Sequence, residues 1–138
     1  MTDNNAHRIH FDDDKIHEGS LLSAGFRVGN LIYVSGQVAV NQDREIVGVG
    51  DFTAQVHQTM ANIKRILEAG GSSLDKIVHT TTYVTDIESA RKEWLGLKKQ
   101  YFSFHYPAGT FVEISRLGSK EAMIEIDVVA LIDGETIA

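Results

Sequence analysis

Carboxylates recur at every second position in two β-type segments near the end of the chain. Glu113 lies within Thr110-Phe111-Val112-Glu113-Ile114, and Glu125 and Asp127 lie within Ile124-Glu125-Ile126-Asp127-Val128. Side chains of an extended strand alternate between faces, so this spacing sets acids along one face of a sheet. Such a face is hard to bury in a monomer and is accounted for by an interface or a cleft. Partial desolvation there raises a carboxyl pKa and suits the group to proton transfer. Other reactive groups are sparser. The chain has no cysteine, hence no thiol nucleophile and no disulfide. Its six histidines show no HxxxH or HxH pairing and no acidic cluster has ligand spacing, so no metal is expected. Asp12-Asp13-Asp14 reads as a solvated turn, and Gly48-Val49-Gly50 lacks the third glycine and the lysine of a phosphate loop.

The elements that must position these acids follow from periodicity and punctuation. Leu21 to Val28 and Leu31 to Val34 read as strands joined by the turn dipeptide Gly29-Asn30. Ser35-Gly36-Gln37 breaks the second strand, and Val38-Ala39-Val40 resumes an extended run. Asp51 is an N-cap for a helix that runs to Ala69 and ends at Gly70-Gly71. Val56, Met60, Ile63 and Leu67 form its apolar stripe, with Gln55, Gln58, Asn62 and Arg65 on the wet side. Ile77 to Thr85 is a β-branched strand, and Asp86 caps a second helix that buries Ala90, Trp94, Leu97 and Tyr101. Strands about Thr110–Ser115 and Ala122–Leu131 close the chain. The order ββ(β)αβαββ predicts a single mixed sheet with both helices on one face. Residues 1–7 read as a frayed polar end of a single domain spanning 1–138.

In the last strand Ala122, Ile124, Ile126, Val128 and Ala130 point toward the helices. Met123, Glu125, Asp127, Val129 and Leu131 point away, and Phe111, Glu113, His79, Thr81 and Tyr83 are expected to join them. Left bare, that second face is a larger apolar patch than monomers usually carry. A homo-oligomer that covers it is therefore expected.

Composition narrows the function classes. At 138 residues the chain holds one core, and 43% hydrophobic with 23% charged residues is close to a soluble globular average. No apolar run approaches the ~20 residues of a membrane span. The first residues lack the basic and apolar regions of a signal peptide, and a cytoplasmic protein is expected. A formal charge of −6 argues against nucleic-acid binding, for which phosphate contacts demand a basic surface.

Leu31-Ile32-Tyr33-Val34-Ser35-Gly36-Gln37, the run from Asn62 to Val78, Val84-Thr85-Asp86 and Tyr106-Pro107-Ala108 together resemble the YjgF/RidA (Rid) family. The resemblance covers about residues 20 to 131. It implies a chorismate-mutase-like α/β (α+β) domain assembled as a homotrimer, with small-molecule clefts between subunits. It further implies hydrolysis of an imine or enamine to a carbonyl compound and ammonia, without metal or organic cofactor. Carried over residue by residue, the family's water-positioning glutamate is present as Glu125 and its Ser-Gly as Ser35-Gly36. The arginine that clamps the substrate carboxylate is replaced by Gly109, the usual cysteine by Phe111, and the Gly-Pro-Tyr motif reads Gly19-Ser20-Leu21. An arginine–carboxylate fork is bidentate and charge-assisted, so its loss disfavours small anionic imines such as 2-aminoacrylate.

On this basis Glu125 and Ser35 are the candidate catalytic residues. Gly36, Leu21, Ala108, Gly109, Phe111, Lys92 and His105 are the candidate substrate-binding ones. Lys92, Arg27 and Arg116 are the cations available to replace the missing arginine, and His105 is read either as a general acid at the cleft mouth or as a helix-end residue. His79 is expected at the oligomer seam and His57 at the surface. The competing reading is a non-catalytic trimeric module that binds a metabolite or a protein. Endoribonuclease activity, sometimes attached to the family, fits poorly with the net charge.

Overall fold

A computed structural model describes residues 4–138. The sequence places its longest alternating run, β6 (Ile124–Leu131), in the middle of a six-stranded sheet ordered β1-β2-β3-β6-β4-β5. The other strands are β1 (Ala6–Ile9), β2 (Gly25–Val28), β3 (Leu31–Gln37), β4 (Ile77–Val84) and β5 (Ala108–Glu113). Helix α1 (Phe52–Ala69) connects β3 to β4, and α2 (Ile87–Tyr101) connects β4 to the parallel strand β5. β6 is antiparallel to both β3 and β4 and lies between them. The expected mixed sheet with two helices is thus the observed architecture. Among the described residues no helix is long and apolar enough to cross a membrane.

Both helix starts are fixed by local chemistry. Asp51 accepts a hydrogen bond from the Ala54 N–H at 3.0 Å, and Asp86 accepts one from Ser89 at 3.2 Å. The stripes Val56, Met60, Ile63, Leu67 and Ala90, Trp94, Leu97 are buried against Ile32, Val34, Val84 and the even-numbered residues Ile124 to Ala130 of β6. Tyr101 completes the second stripe only partly and meets His57, which is otherwise exposed.

Four expectations are corrected. Of residues 1–7, expected to fray, Ala6 and His7 instead pair with β2 in the edge strand β1, while residues 1–3 lie outside the described residues. The strand expected from Leu21 begins only at Gly25, because Leu21 and Leu22 sit in an exposed loop where the Ser20 hydroxyl accepts from the Leu22 N–H. Gln55 and Asn62 are buried, not wet. Gln55 donates to the carbonyls of Gly48 and Glu121 and accepts from the Met123 N–H, and Asn62 donates to Val38 and Val40. Polar side chains are used here because the irregular segment over α1 leaves backbone groups that need partners.

The fourth correction concerns Phe111 and Glu113. Parallel pairing sets Phe111 beside Thr82 and Glu113 beside Val84, on the helix side of the sheet. Phe111 packs against the core, and Glu113 accepts a hydrogen bond from the Ile87 N–H at the start of α2, where a carboxylate also favours the helix dipole. Alternation relates 111 to 113 correctly, but only the register with β4 decides which face they share. Val112, opposite Tyr83, takes the open face instead.

Candidate functional site

The open face of the sheet carries Glu125, Asp127 and Val129 of β6, with Tyr83, Thr81 and His79 paired to them across β4. On the other side of β6, β3 departs from regular pairing. Val34 opposes Val128 and Gln37 opposes Ile126, so Ser35 and Gly36 form a bulge. Bulges re-aim side chains and free backbone groups, and they recur beside active sites. Here the bulge brings Gly36 under the Glu125 carboxylate. A Cβ on residue 36 would lie 2.6 Å from Oε2 and 2.9 Å from Cδ of Glu125, so only glycine fits without moving the acid.

Glu125 is partly shielded from solvent, and that burial raises its pKa above the ordinary carboxylate value, with the neighbouring Asp127 adding to the rise. Tyr83 faces the same pair. Its phenol pKa is raised chiefly by the Asp127 charge, then by burial, by a hydrogen bond to Asp127, and by Glu125. The arrangement therefore joins a carboxyl group disposed to take up a proton to a phenol disposed to keep its own. Alternation alone assigns Tyr83 to the apolar patch of the open face; its position opposite Glu125 depends on the β4–β6 register.

The remaining candidates divide by location. Ser35 is anchored: its hydroxyl donates to the Ser23 carbonyl at 2.6 Å and its N–H to Ala24 at 2.9 Å. Its hydroxyl proton is thus committed, leaving lone pairs to face a ligand. Leu21 is fully exposed and, with Leu22, Ser23, Phe26, Tyr33 and Ser35, borders a shallow hollow of about 290 Å³. Ala108 and Gly109 open β5 opposite His79 and Thr80. They lie four and three positions along β4 from Tyr83, roughly 13 and 10 Å at the strand rise. A Cβ on Gly109 would lie 2.9 Å from Thr80 Oγ1 and 3.0 Å from its carbonyl, so this backbone presses directly on β4.

Three further candidates are likewise not brought to Glu125 by their own chain. Phe111 is on the helix side of the sheet, for the register reason given above. Lys92 is exposed on α2, the layer covering that same side. His105 Nε2 donates to the Ile77 carbonyl at 2.7 Å and lines a separate pocket with Lys64, Tyr101 and Phe104. Arg27 and Arg116 are exposed and donate to the carbonyls of Gly29 and Leu117. Among the described residues no group of three or more His, Asp or Glu side chains is placed to hold a metal ion.

A compact sheet-and-two-helix domain with an acid seated over a bulge glycine defines the class, and comparison with known proteins agrees with it. Residues 16–132 match the family model described as Endoribonuclease L-PSP, and the chain belongs to this family, also called YjgF/RidA or Rid. A RutC family protein of Saccharolobus solfataricus is 38% identical over 109 residues, covering 78% of this chain and 84% of that one. The 2-iminobutanoate/2-iminopropanoate deaminase of Escherichia coli K12 is 36% identical over 110 residues, with the same coverage. Among solved structures, RidA of an Antarctic Psychrobacter superimposes with a TM-score of 0.81 at 29% identity, covering 91% of this chain and all of that one. A Rid family protein of Yersinia pestis gives 0.81 at 29% identity, covering 93% and 100%.

Proposed function

We propose that this protein is an imine or enamine hydrolase that releases ammonia, working in clefts between copies of itself assembled as a homotrimer. The observation that carries the reading is the Glu125 carboxylate seated over Gly36 with its pKa raised by burial. The family relationship to a 2-iminobutanoate/2-iminopropanoate deaminase supports it. In the proposed reaction an enamine first tautomerises to its imine. Glu125 takes a proton from a held water while the hydroxide oxygen bonds to the C=N carbon and the nitrogen gains a proton, either from solvent or from the neutral phenol of Tyr83, which is paired with Glu125 across the strands. Glu125 then returns its proton to the amine nitrogen, the C–N bond breaks to release ammonia, and the carbinolamine hydroxyl proton passes to the group that first protonated the nitrogen as the carbonyl forms. Water and imine are thereby converted to a carbonyl compound and ammonia, with no redox change.

Trimer formation is supported by the row Phe26, Tyr33 and Val129 across the open face, where Phe26 and Tyr33 remain exposed in one chain. Within one chain Ala108 and Gly109 lie apart from Glu125, so they can serve its site only if another copy supplies them. Without an arginine at Gly109, and with Leu21, Leu22, Phe26 and Tyr33 around the hollow, larger and less anionic imines are favoured over the small 2-aminoacrylate type.

The test couples ammonia release to an amino-acid oxidase that generates imines in place, across small and aromatic amino acids. Acceleration over spontaneous hydrolysis that is lost in Glu125→Gln is expected. No acceleration with any of them defeats the reading, and ligand-induced thermal stabilisation that persists in Glu125→Gln without turnover would favour the binding module.

A further inference from the structure

Asp12 and Asp13 are exposed, as their turn implies, but Asp14 is not: its carboxylate meets His17 Nδ1 at 2.9 Å, with side chains only 11% and 12% exposed. His17 Nε2 in turn faces Gln37 Nε2 at 3.4 Å, at the long end for a hydrogen bond. Gln37 is 2% exposed and its Nε2 donates to the Ser35 carbonyl at 3.0 Å. These contacts fix the orientation of the whole series. Because the Gln37 NH₂ group is held toward the Ser35 carbonyl, the same group faces His17. Taken as a hydrogen bond, that contact has Nε2 accept, which leaves the Nδ1 side of the ring to donate to Asp14. A carboxylate, a ring and an amide thus run from the loop before β2 to the bulge under Glu125.

We infer that Asp14, His17 and Gln37 are positioning residues for the Glu125 site, holding the Ser35–Gly36 bulge in the conformation that seats the acid. The inference rests on the proposed hydrolytic reading of that site and adds residues to it. Three features of the fold support it. The bulge lies outside regular β3–β6 pairing, so side chains and the Ser23–Ala24 loop must hold it in place of the ladder. A few tenths of an ångström matter at Gly36, where the carboxylate already occupies the space a Cβ would fill. The loop bearing His17 is also independently tethered. The Lys15 N–H donates to Gln42 Oε1, and Arg44 donates to the carbonyls of Lys15 and Glu18. The His17 ring is therefore not needed to keep its loop in place, and its bonds serve Asp14 on one side and Gln37 on the other.

The geometry offers a test that separates positioning from loop anchoring. Glutamine at position 17 places a carbonyl oxygen near the site of Nε2 and can still accept from Gln37. Asparagine mimics the Nδ1 side, keeping the bond to Asp14 while leaving Gln37 without its acceptor. Two quantities are measured in the full-length protein: imine-dependent ammonia release, split into kcat and KM, and the titration midpoint of the Glu125 carboxyl carbon by NMR. The expected result is a kcat lowered about tenfold in His17→Asn with KM nearly unchanged, and a Glu125 midpoint moved toward the ordinary carboxylate range. His17→Gln should restore both. Equal impairment in the two variants, or none in either, overturns the inference. If the wild-type protein turns over no imine, the hydrolytic reading fails separately, and the Glu125 midpoint alone decides whether the series positions the acid.

Discussion

The Glu125 carboxylate occupies the volume in which a side chain at residue 36 would begin, with Oε2 2.6 Å from the position of a Cβ on Gly36. Gly36→Ala therefore forces the carboxylate to swing away, and the far end of a Glu side chain moves more readily than the sheet. The expected outcome is a loss of about 100-fold in ammonia release, since misplacement of a reacting group by about 1 Å costs that much. Stability should stay within roughly 1 kcal/mol of wild type, because no core atom moves. Urea denaturation beside the kinetic assay checks both; a large loss of stability with activity retained would contradict the seating described here.

The Glu125 pKa, raised by burial and by Asp127, has consequences of opposite sign for activity and for stability. Activity needs the ionised form to accept the water proton, so it should rise with pH through a midpoint above the ordinary carboxylate range. For stability, an acid whose pKa is higher folded than unfolded binds more protons in the folded state between the two values. Folding is then weakened as pH rises through that window. Glu125→Gln should accordingly unfold at a higher temperature than wild type at neutral pH, with the difference shrinking below the unfolded-state pKa, while activity falls at least about 100-fold. Thermal melts across pH check the sign.

Tyr83 is held neutral by Asp127, burial and Glu125, and faces the residue that would take the water proton. Tyr83→Phe removes the phenol proton while keeping the ring. If that proton reaches the imine nitrogen, kcat should fall roughly tenfold to 100-fold with KM little changed. An unchanged kcat would assign the proton to solvent and leave Tyr83 a role in packing beside Asp127.

How much of this could be read from residues alone depends on where the deciding partner lies. The faces of β6 were legible because alternation is intrinsic to one strand, and both helix caps because Asp51 and Asp86 act within a turn of themselves. The face of Phe111 and Glu113 was not, since it depends on register with β4 about 30 residues earlier. The chemical setting of Tyr83 likewise depends on register, here between β4 and β6. The Ser35–Gly36 bulge was visible as a break in β3, yet its function depends on Glu125 crossing from β6. His17 and Gln37 are separated by 20 residues, and nothing in either type announces the other.

Gln55 shows the same limit and yields a separate test. Helical spacing sets it beside the polar residues of α1, but its side chain is 0% exposed and satisfies three backbone groups at once. Nε2 donates to Gly48 at 3.1 Å and to Glu121 at 2.9 Å, and Oε1 accepts from the Met123 N–H at 2.8 Å. Met123 directly precedes β6, so this amide ties α1 to the entry of the strand that carries Glu125. Gln55→Ala leaves these buried groups without partners and opens a cavity, and should cost roughly 3–5 kcal/mol in urea denaturation. Gln55→Glu retains an acceptor for Met123 but turns its second oxygen toward two carbonyls, so it should destabilise as well at neutral pH. A variant of either kind that unfolds like wild type would mean that water replaces all three bonds and that the amide does not tie helix to strand.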